Sequence, residues 1–246
     1  MELQQIVDRY AEALTAIDAS TTTVVANPRT GEIYPASLKA LGETRTVTEI
    51  DAWWAATYPD DFSPPPNRHQ IGFKYPNIPR AACDHVFTTD AEPGDPEWAI
   101  EVKNIAFIGN NGKRNDFAVA KVLSPYLKDR SLLHDVVRLR EHQIARRQAV
   151  IGYTFRYDLQ TCATSRALHP HAAGAIAEIE QVCLQNGGEM SVNPLVNFCE
   201  GVLLVRNLVV GTTCRRSFEA WRHPCAGEGL VFGWEISPPS GPQHPW

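Results

Sequence analysis

Trp98-Ala-Ile-Glu-Val-Lys-Asn-Ile-Ala-Phe107 reads as a β-strand with two opposite charges set into one of its faces. Side chains alternate along a strand, so Ala99, Glu101, Lys103, Ile105 and Phe107 share one side, and Trp98, Ile100 and Val102 the other. The second side is apolar throughout, as expected of a strand inside a sheet. Glu101 and Lys103 interrupt the first, and burying them unpaired costs several kcal/mol. They need each other, a metal ion, or water in a cleft. A structural ion pair between the two is the plain alternative to a catalytic role.

The flanking sequence builds a sheet around this strand. Gln70-Ile-Gly-Phe-Lys-Tyr75 and Cys83-Asp-His-Val-Phe-Thr-Thr89 are two further strands, with turn material at Pro76 to Pro79 and Asp90 to Pro96. A turn from Gly109 to Asp116 leads into a helical region that Ser124-Pro125 breaks, leaving a longer helix over about 129–144. Ala149 to Phe155 is a buried strand, and 172–185 an amphipathic helix ending at Gly187-Gly188. Upstream, Leu3, Ile6, Val7, Tyr10, Leu14 and Ile17 have helical spacing over 2–18. A Thr-rich, proline-punctuated loop runs to about 42. Thr46 or Thr48 then caps a second helix carrying Ile50, Trp53 and Trp54, and the prolines of 59–68 form a rigid break. Val202 to Val210 and Leu230 to Ile236 read as β runs, and 238–246 as a proline-rich extended tail.

The fold class expected is α/β: a central mixed β-sheet flanked by helices, with extra C-terminal β elements, in a single domain over 1–246. Residues 157–237 form a C-terminal extension without a recognisable motif. Apolar runs such as Gly201 to Val205 are too short to span a bilayer. The first residues, Met-Glu-Leu-Gln-Gln, lack the basic and apolar regions of a secretory signal. Six scattered cysteines (83, 162, 183, 199, 214, 225) show no zinc-ligand spacing and suit reduced thiols. A cytoplasmic location with no membrane partner is expected. The formal net charge of −5 speaks mildly against a dedicated nucleic-acid coat protein, and local basic patches can still hold phosphates.

Asp84 precedes Glu101 by 17 residues, and a hairpin through Asp90 to Pro96 brings the two carboxylates together. Two carboxylates and a lysine suit phosphodiester hydrolysis, because carboxylate oxygens hold hard divalent cations and an ammonium orients water or offsets developing charge. Asp84 followed by Glu101-Val102-Lys103, in the order strand, turn, strand, resembles the PD-(D/E)XK nuclease superfamily, which includes many restriction endonucleases. The residue before Asp84 is Cys83 where that motif has proline, and Asp90 and Asp95 are substitutes for Asp84. The resemblance implies a restriction-endonuclease-like core over about 44–156. It implies that Asp84, Glu101 and the Val102 carbonyl bind Mg²⁺ (or Mn²⁺), with Lys103 serving the attacking water. Many members add a glutamate from an early helix; Glu43 or Glu49 fills that place, Glu43 being preferred. The implied activity is a metal-dependent endonuclease of double-stranded DNA, of restriction or defence type, acting as a homodimer. The alternative is a catalytically inactive nucleic-acid-binding or protein-interaction module on the same fold.

Further basic residues are candidates for the nucleic-acid backbone. Asn111, Lys113 and Arg114 lie in the turn after the charged strand, and the glycines there are too close for a P-loop. The run from Arg138-Leu-Arg140 to Arg146 and Arg147 reads first as a solvated helix end and second as a phosphate contact. Arg215 and Arg216 form a second basic cluster near Trp221.

Overall fold

Apolar residues at helical spacing wind into α1, Leu3–Ser20, which buries Leu3, Ile6, Val7, Tyr10, Leu14 and Ile17. The computed structural model describes residues 1–62, 69–79, 81–88, 96–115 and 131–238. Asp90, Asp95, the segment around Ser124-Pro125 and the tail beyond Pro238 lie outside the described residues. After α1 come a two-residue-strand hairpin, β1 (Val25–Ala26) with β2 (Ile33–Tyr34), and a 3₁₀ turn at Leu38–Ala40. Helix α2, Glu43–Thr57, follows.

Among the described residues six strands form the central sheet: β3 (His69–Lys74), β4 (Ala82–Phe87), β5 (Trp98–Ile105), β6 (Arg147–Phe155), β9 (Val209–Ala220) and β10 (Gly227–Ile236). Their order is β3-β4-β5-β6-β10-β9, antiparallel throughout except for the parallel pair β5–β6. A parallel pair needs a crossover connection, and α3, Leu132–His142, lies in it. Three more helices belong to the C-terminal part: α4 (Leu159–Leu168), α5 (Ala173–Gln185) and α6 (Asn193–Val205). The small pair β7 (Tyr157–Asp158) and β8 (Glu189–Met190) ties α4 and α5 together.

The two faces of β5 enter different cores, as its alternation requires. Trp98, Ile100 and Val102 pack with Tyr10, Ile50 and Trp54 from α1 and α2. Ala99 and Ile105 pack with Leu132, Val136 and Leu139 of α3 and with Val196 and Leu203 of α6. The mixed sheet flanked by helices is the fold class expected.

Two local expectations are corrected, and one helix is added. Helix α2 begins at Glu43 with Gly42 as its cap residue, and Thr46 is fully buried inside it. Val202 to Val205 belong to α6, which opens with Pro194 in its first turn and stops before Asn207 at φ 53°. Four consecutive apolar residues fit helix and strand alike, so their period alone could not assign them. Helix α4 was not foreseen, although Asp158 caps it by accepting the Thr161 N–H at 2.6 Å. All six cysteines are unbridged, and among the described residues no helix is long and apolar enough to cross a membrane.

Candidate active site

The β4–β5 ladder pairs Phe87 with Trp98, Val86 with Ala99 and His85 with Ile100, and stops there. Beyond it the edge of β5 would carry orphan backbone donors, which must find acceptors. Two carboxylates supply them. Asp84 Oδ2 accepts the Val102 N–H at 2.8 Å, and Glu43 Oε2 accepts the Asn104 N–H at 2.9 Å. The N–H and C=O of one strand residue face the same way, so the Val102 carbonyl opens onto the same gap. Glu43, Asp84, Glu101 and Lys103 thus meet where the sheet parts. Glu49 is held on the exposed side of α2 by Arg45 at 2.8 Å, which leaves Glu43 as the helix-borne glutamate of the site.

Glu101 and Lys103 are both buried, yet they do not pair with each other. Glu101 Oε1 takes the Tyr75 hydroxyl at 2.5 Å and an Arg138 Nη2–H at 2.7 Å. Lys103 Nζ lies 2.8 Å from Asp135 Oδ2 and 3.4 Å from Glu43 Oε1. Arg138 also reaches Asp135 at 2.8 Å, its guanidinium 4.9 Å from the Tyr75 ring centre. The simple Glu101–Lys103 pair is therefore replaced by a network, because residues two apart on a strand point the same way and α3 supplies a countercharge for each. Arg138, read as part of a solvated helix end, instead faces inward over β5.

Asp135, Arg138 and Tyr75 are the members that sequence reasoning missed. A signal existed: Asp135 and Arg138 are spaced i, i+3 in a helix capped by Ser131, whose Oγ accepts the His134 N–H at 3.1 Å.

Burial governs the protonation of the site. It pushes the Asp84 carboxyl up to about 6, against the Val102 N–H, with Glu43 raising it further. Glu101 is driven well above the ordinary carboxylate range by burial, then by Asp84 and Asp135, with Arg138 opposing. For Lys103, burial favours the neutral amine, but Asp135 and Glu43 together outweigh it and hold the ammonium charged.

A raised acid pKa means that the folded state prefers the protonated form. The strain is absent below the unfolded pKa near 4, grows as pH rises through about 6, and is complete above it. Asp84→Asn keeps an oxygen for the Val102 N–H and removes the charge. In metal-free buffer at pH 8 it should be more stable than wild type by about 1–3 kcal/mol, after discounting for partial exposure. The difference should vanish below pH 4 in urea melts. Equal stability of the two proteins at both pH values would show that Asp84 carries no buried strain.

The donor set suits a hard cation. Four carboxylates (Glu43, Asp84, Glu101, Asp135) face two cations (Lys103, Arg138), a formal shortfall of two positive charges. Mg²⁺ commonly takes one or two carboxylates and completes its shell with water and substrate phosphate. Among the described residues no three acidic, histidine or cysteine side chains close into a cage. Asp84 and Glu101 form the acidic pair, with Glu43 beside them.

The other basic candidates separate by position. Asn111, Lys113 and Arg114 are exposed on the turn beyond the C-terminal end of β5, Arg114 donating to Gln185 Oε1 at 2.5 Å. Arg147 sits opposite Trp98 at the other end of β5, beside Arg146 and roughly 15 Å from Lys103 at strand spacing. Its guanidinium is engaged by Glu235 at 2.8 Å and Glu2 at 3.0 Å and stacks 4.2 Å from the Trp98 ring centre. Arg215, held by Asn197 at 2.7 Å, and the exposed Arg216 lie on β9. That strand is three away from β5, about 15 Å across the sheet. No family model, curated protein or solved structure matches the chain.

Proposed function

We propose that the chain is a metal-dependent phosphodiesterase of nucleic acid, an endonuclease of double-stranded DNA of restriction or defence type, related to the PD-(D/E)XK superfamily. The observation that carries the reading is the meeting of Glu43, Asp84, Glu101 and Lys103, from α2, β4 and β5, at the point where β4 and β5 part. Asp84, Glu101 and the Val102 carbonyl, with Glu43 beside them, would hold Mg²⁺ or Mn²⁺. When bound, the cation draws charge from the phosphoryl oxygens and makes water a better nucleophile. Lys103 acts as a charge rather than as a base, since Asp135 and Glu43 keep it protonated. It orients the attacking water and offsets charge on the phosphate. Asp135 is a positioning residue that fixes the ammonium 2.8 Å away.

The reading extends to a cytoplasmic homodimer. Supporting the dimer are Phe198, Leu204, Val205 and Val210, large apolar residues left exposed on α6 and the edge strand β9.

The test is cleavage of supercoiled plasmid and of labelled oligonucleotides with Mg²⁺ or Mn²⁺, with chelator as control. Nicked or linear product that chelator abolishes is the expected result. One observation favours the second reading, an inactive module: Arg138 already occupies Glu101. On that reading calorimetry detects neither Mg²⁺ nor Mn²⁺ binding, with or without DNA, and no substrate is cut.

A further inference from the structure

A second constellation lies beyond the C-terminal end of β5. Lys39, buried in the 3₁₀ turn before α2, donates from Nζ to the Ile108 carbonyl at 2.8 Å and to the Tyr157 hydroxyl at 3.2 Å. The Tyr157 hydroxyl donates in turn to the Cys225 carbonyl at 3.1 Å. Beside them His223, 1% exposed, accepts the Cys225 N–H on Nδ1 at 3.0 Å. Burial, then the charge of Lys39, holds this ring neutral, its pKa lowered to about 3.

These bonds assign the tautomer. With Nδ1 an acceptor and the ring neutral, the proton is on Nε2, and Nε2 has no hydrogen-bond partner among the described residues. A buried donor without an acceptor is destabilising, and a ligand oxygen would remove that cost. His223 lies in the wall of a cavity of about 650 Å³, within the range of ligand pockets. Tyr34, whose ring centre is 6.1 Å from that of His223, also lines it, as do Asn110 and Asn111. Gly174 and Ala175 bring in the first turn of α5, where the cap residue Ala172 makes no side-chain cap. Glu32 supplies an acceptor at the same wall, and the exposed Val24 and Ile33 supply apolar surface.

The turn that forms one side is pressed onto α5. Gly112 has φ 80°, and a Cβ there would come within 2.6 Å of the Ala175 carbonyl. Past Gly112 a groove continues along α5 between Lys113, Arg114 and Gln181. Donors and a helix N-terminus suit a phosphate; rings and apolar surface suit a base, and the Glu32 carboxylate disfavours a bare anion.

We propose that this cavity binds a nucleotide unit, with its phosphate at the first turn of α5, its base against Tyr34, and an oxygen taking the His223 Nε2–H. The site is separate from the acidic cluster and does not depend on cleavage. It adjoins that cluster through two segments: Lys39 leads to Glu43, and Asn104 leads to Ile108.

The test titrates the full chain, in chelator, with nucleoside 5′-monophosphates, nucleosides and inorganic phosphate, followed by calorimetry or ligand-observed NMR. At least one monophosphate should bind with a Kd of about 1 mM or tighter, and inorganic phosphate at least tenfold more weakly. His223→Ala should weaken binding tenfold or more, and Lys103→Ala should leave it unchanged. Gly174→Glu serves if His223→Ala fails to fold. A Cβ at Gly174 meets nothing within 4 Å, and a first-turn carboxylate favours the helix while repelling the phosphate. Absence of monophosphate binding, phosphate binding as tightly as every monophosphate, or affinity unmoved by Gly174→Glu would each overturn the proposal.

Discussion

If the chain is the nuclease proposed, Lys103→Ala is expected to lower metal-dependent cleavage by about 10²–10⁴-fold, the range for loss of a positioned charge or proton donor at a water-poor site. The size follows from burial. Lys103 is 5% exposed, so bulk water cannot replace its ammonium against the phosphate. The variant also leaves Asp135 and Glu43 without the cation that lies 2.8 and 3.4 Å from them, and both carboxylates then repel an incoming phosphodiester. Glu101→Ala should fall comparably, by removing half of the acidic pair. Lys103→Arg keeps the charge with a planar, longer head and should recover only part of the rate. Initial rates on a labelled oligonucleotide, with folding checked by circular dichroism, measure all three. Cleavage at the wild-type rate in both alanine variants would place the chemistry elsewhere in the molecule.

Arg138→Met should be the most destabilising change at the site. It strips the countercharge from Glu101 and half of that from Asp135, whose side chains are 3% and 2% exposed. Breaking a buried pair from one side costs up to about 3–5 kcal/mol, because the remaining charge is left desolvated and unpaired, less what Glu101 recovers by taking a proton, its carboxyl already lying well above the ordinary range. In a protein of this size that corresponds to a melting temperature lower by about 6–20 °C. Adding Glu101→Gln should restore much of the loss, since the pair is then removed from both sides. If the acidic cluster binds Mg²⁺, the cation should stabilise Arg138→Met more than wild type, because Arg138 no longer competes for Glu101. A fall below about 1 kcal/mol would mean that the pair behaves as an exposed one, and a double variant no more stable than the single would deny the coupling.

Much of the acidic cluster is legible in the sequence, for identifiable reasons. Alternation along Trp98 to Phe107 placed Glu101 and Lys103 on one face, and the hairpin brought in Asp84, because strand periodicity and short turns are local. Glu43 could be named but not seated. Its bond to the Asn104 N–H depends on where α2 lands on the sheet, and the expected cap at Thr46 or Thr48 started that helix too late. Arg138 shows the opposite case. Its charge suggested solvent, and only the rotation of α3 about its axis turned it onto Glu101. Val202 to Val205 were misread because an apolar run carries no period.

The sequence by itself determined a mixed sheet with helices, the faces of its central strand, and a charged pair that needed a partner. These follow from backbone periodicity and from the cost of burying charge, and both act over a few residues. The tertiary structure alone decided who the partners are. Asp135 and Arg138 reach β5 across a crossover, and Tyr75 reaches it from β3 beyond β4. His223 meets Lys39 from the far end of the chain. Such pairings are set by how whole elements pack, a property of volume and shape that no local stretch of residues encodes.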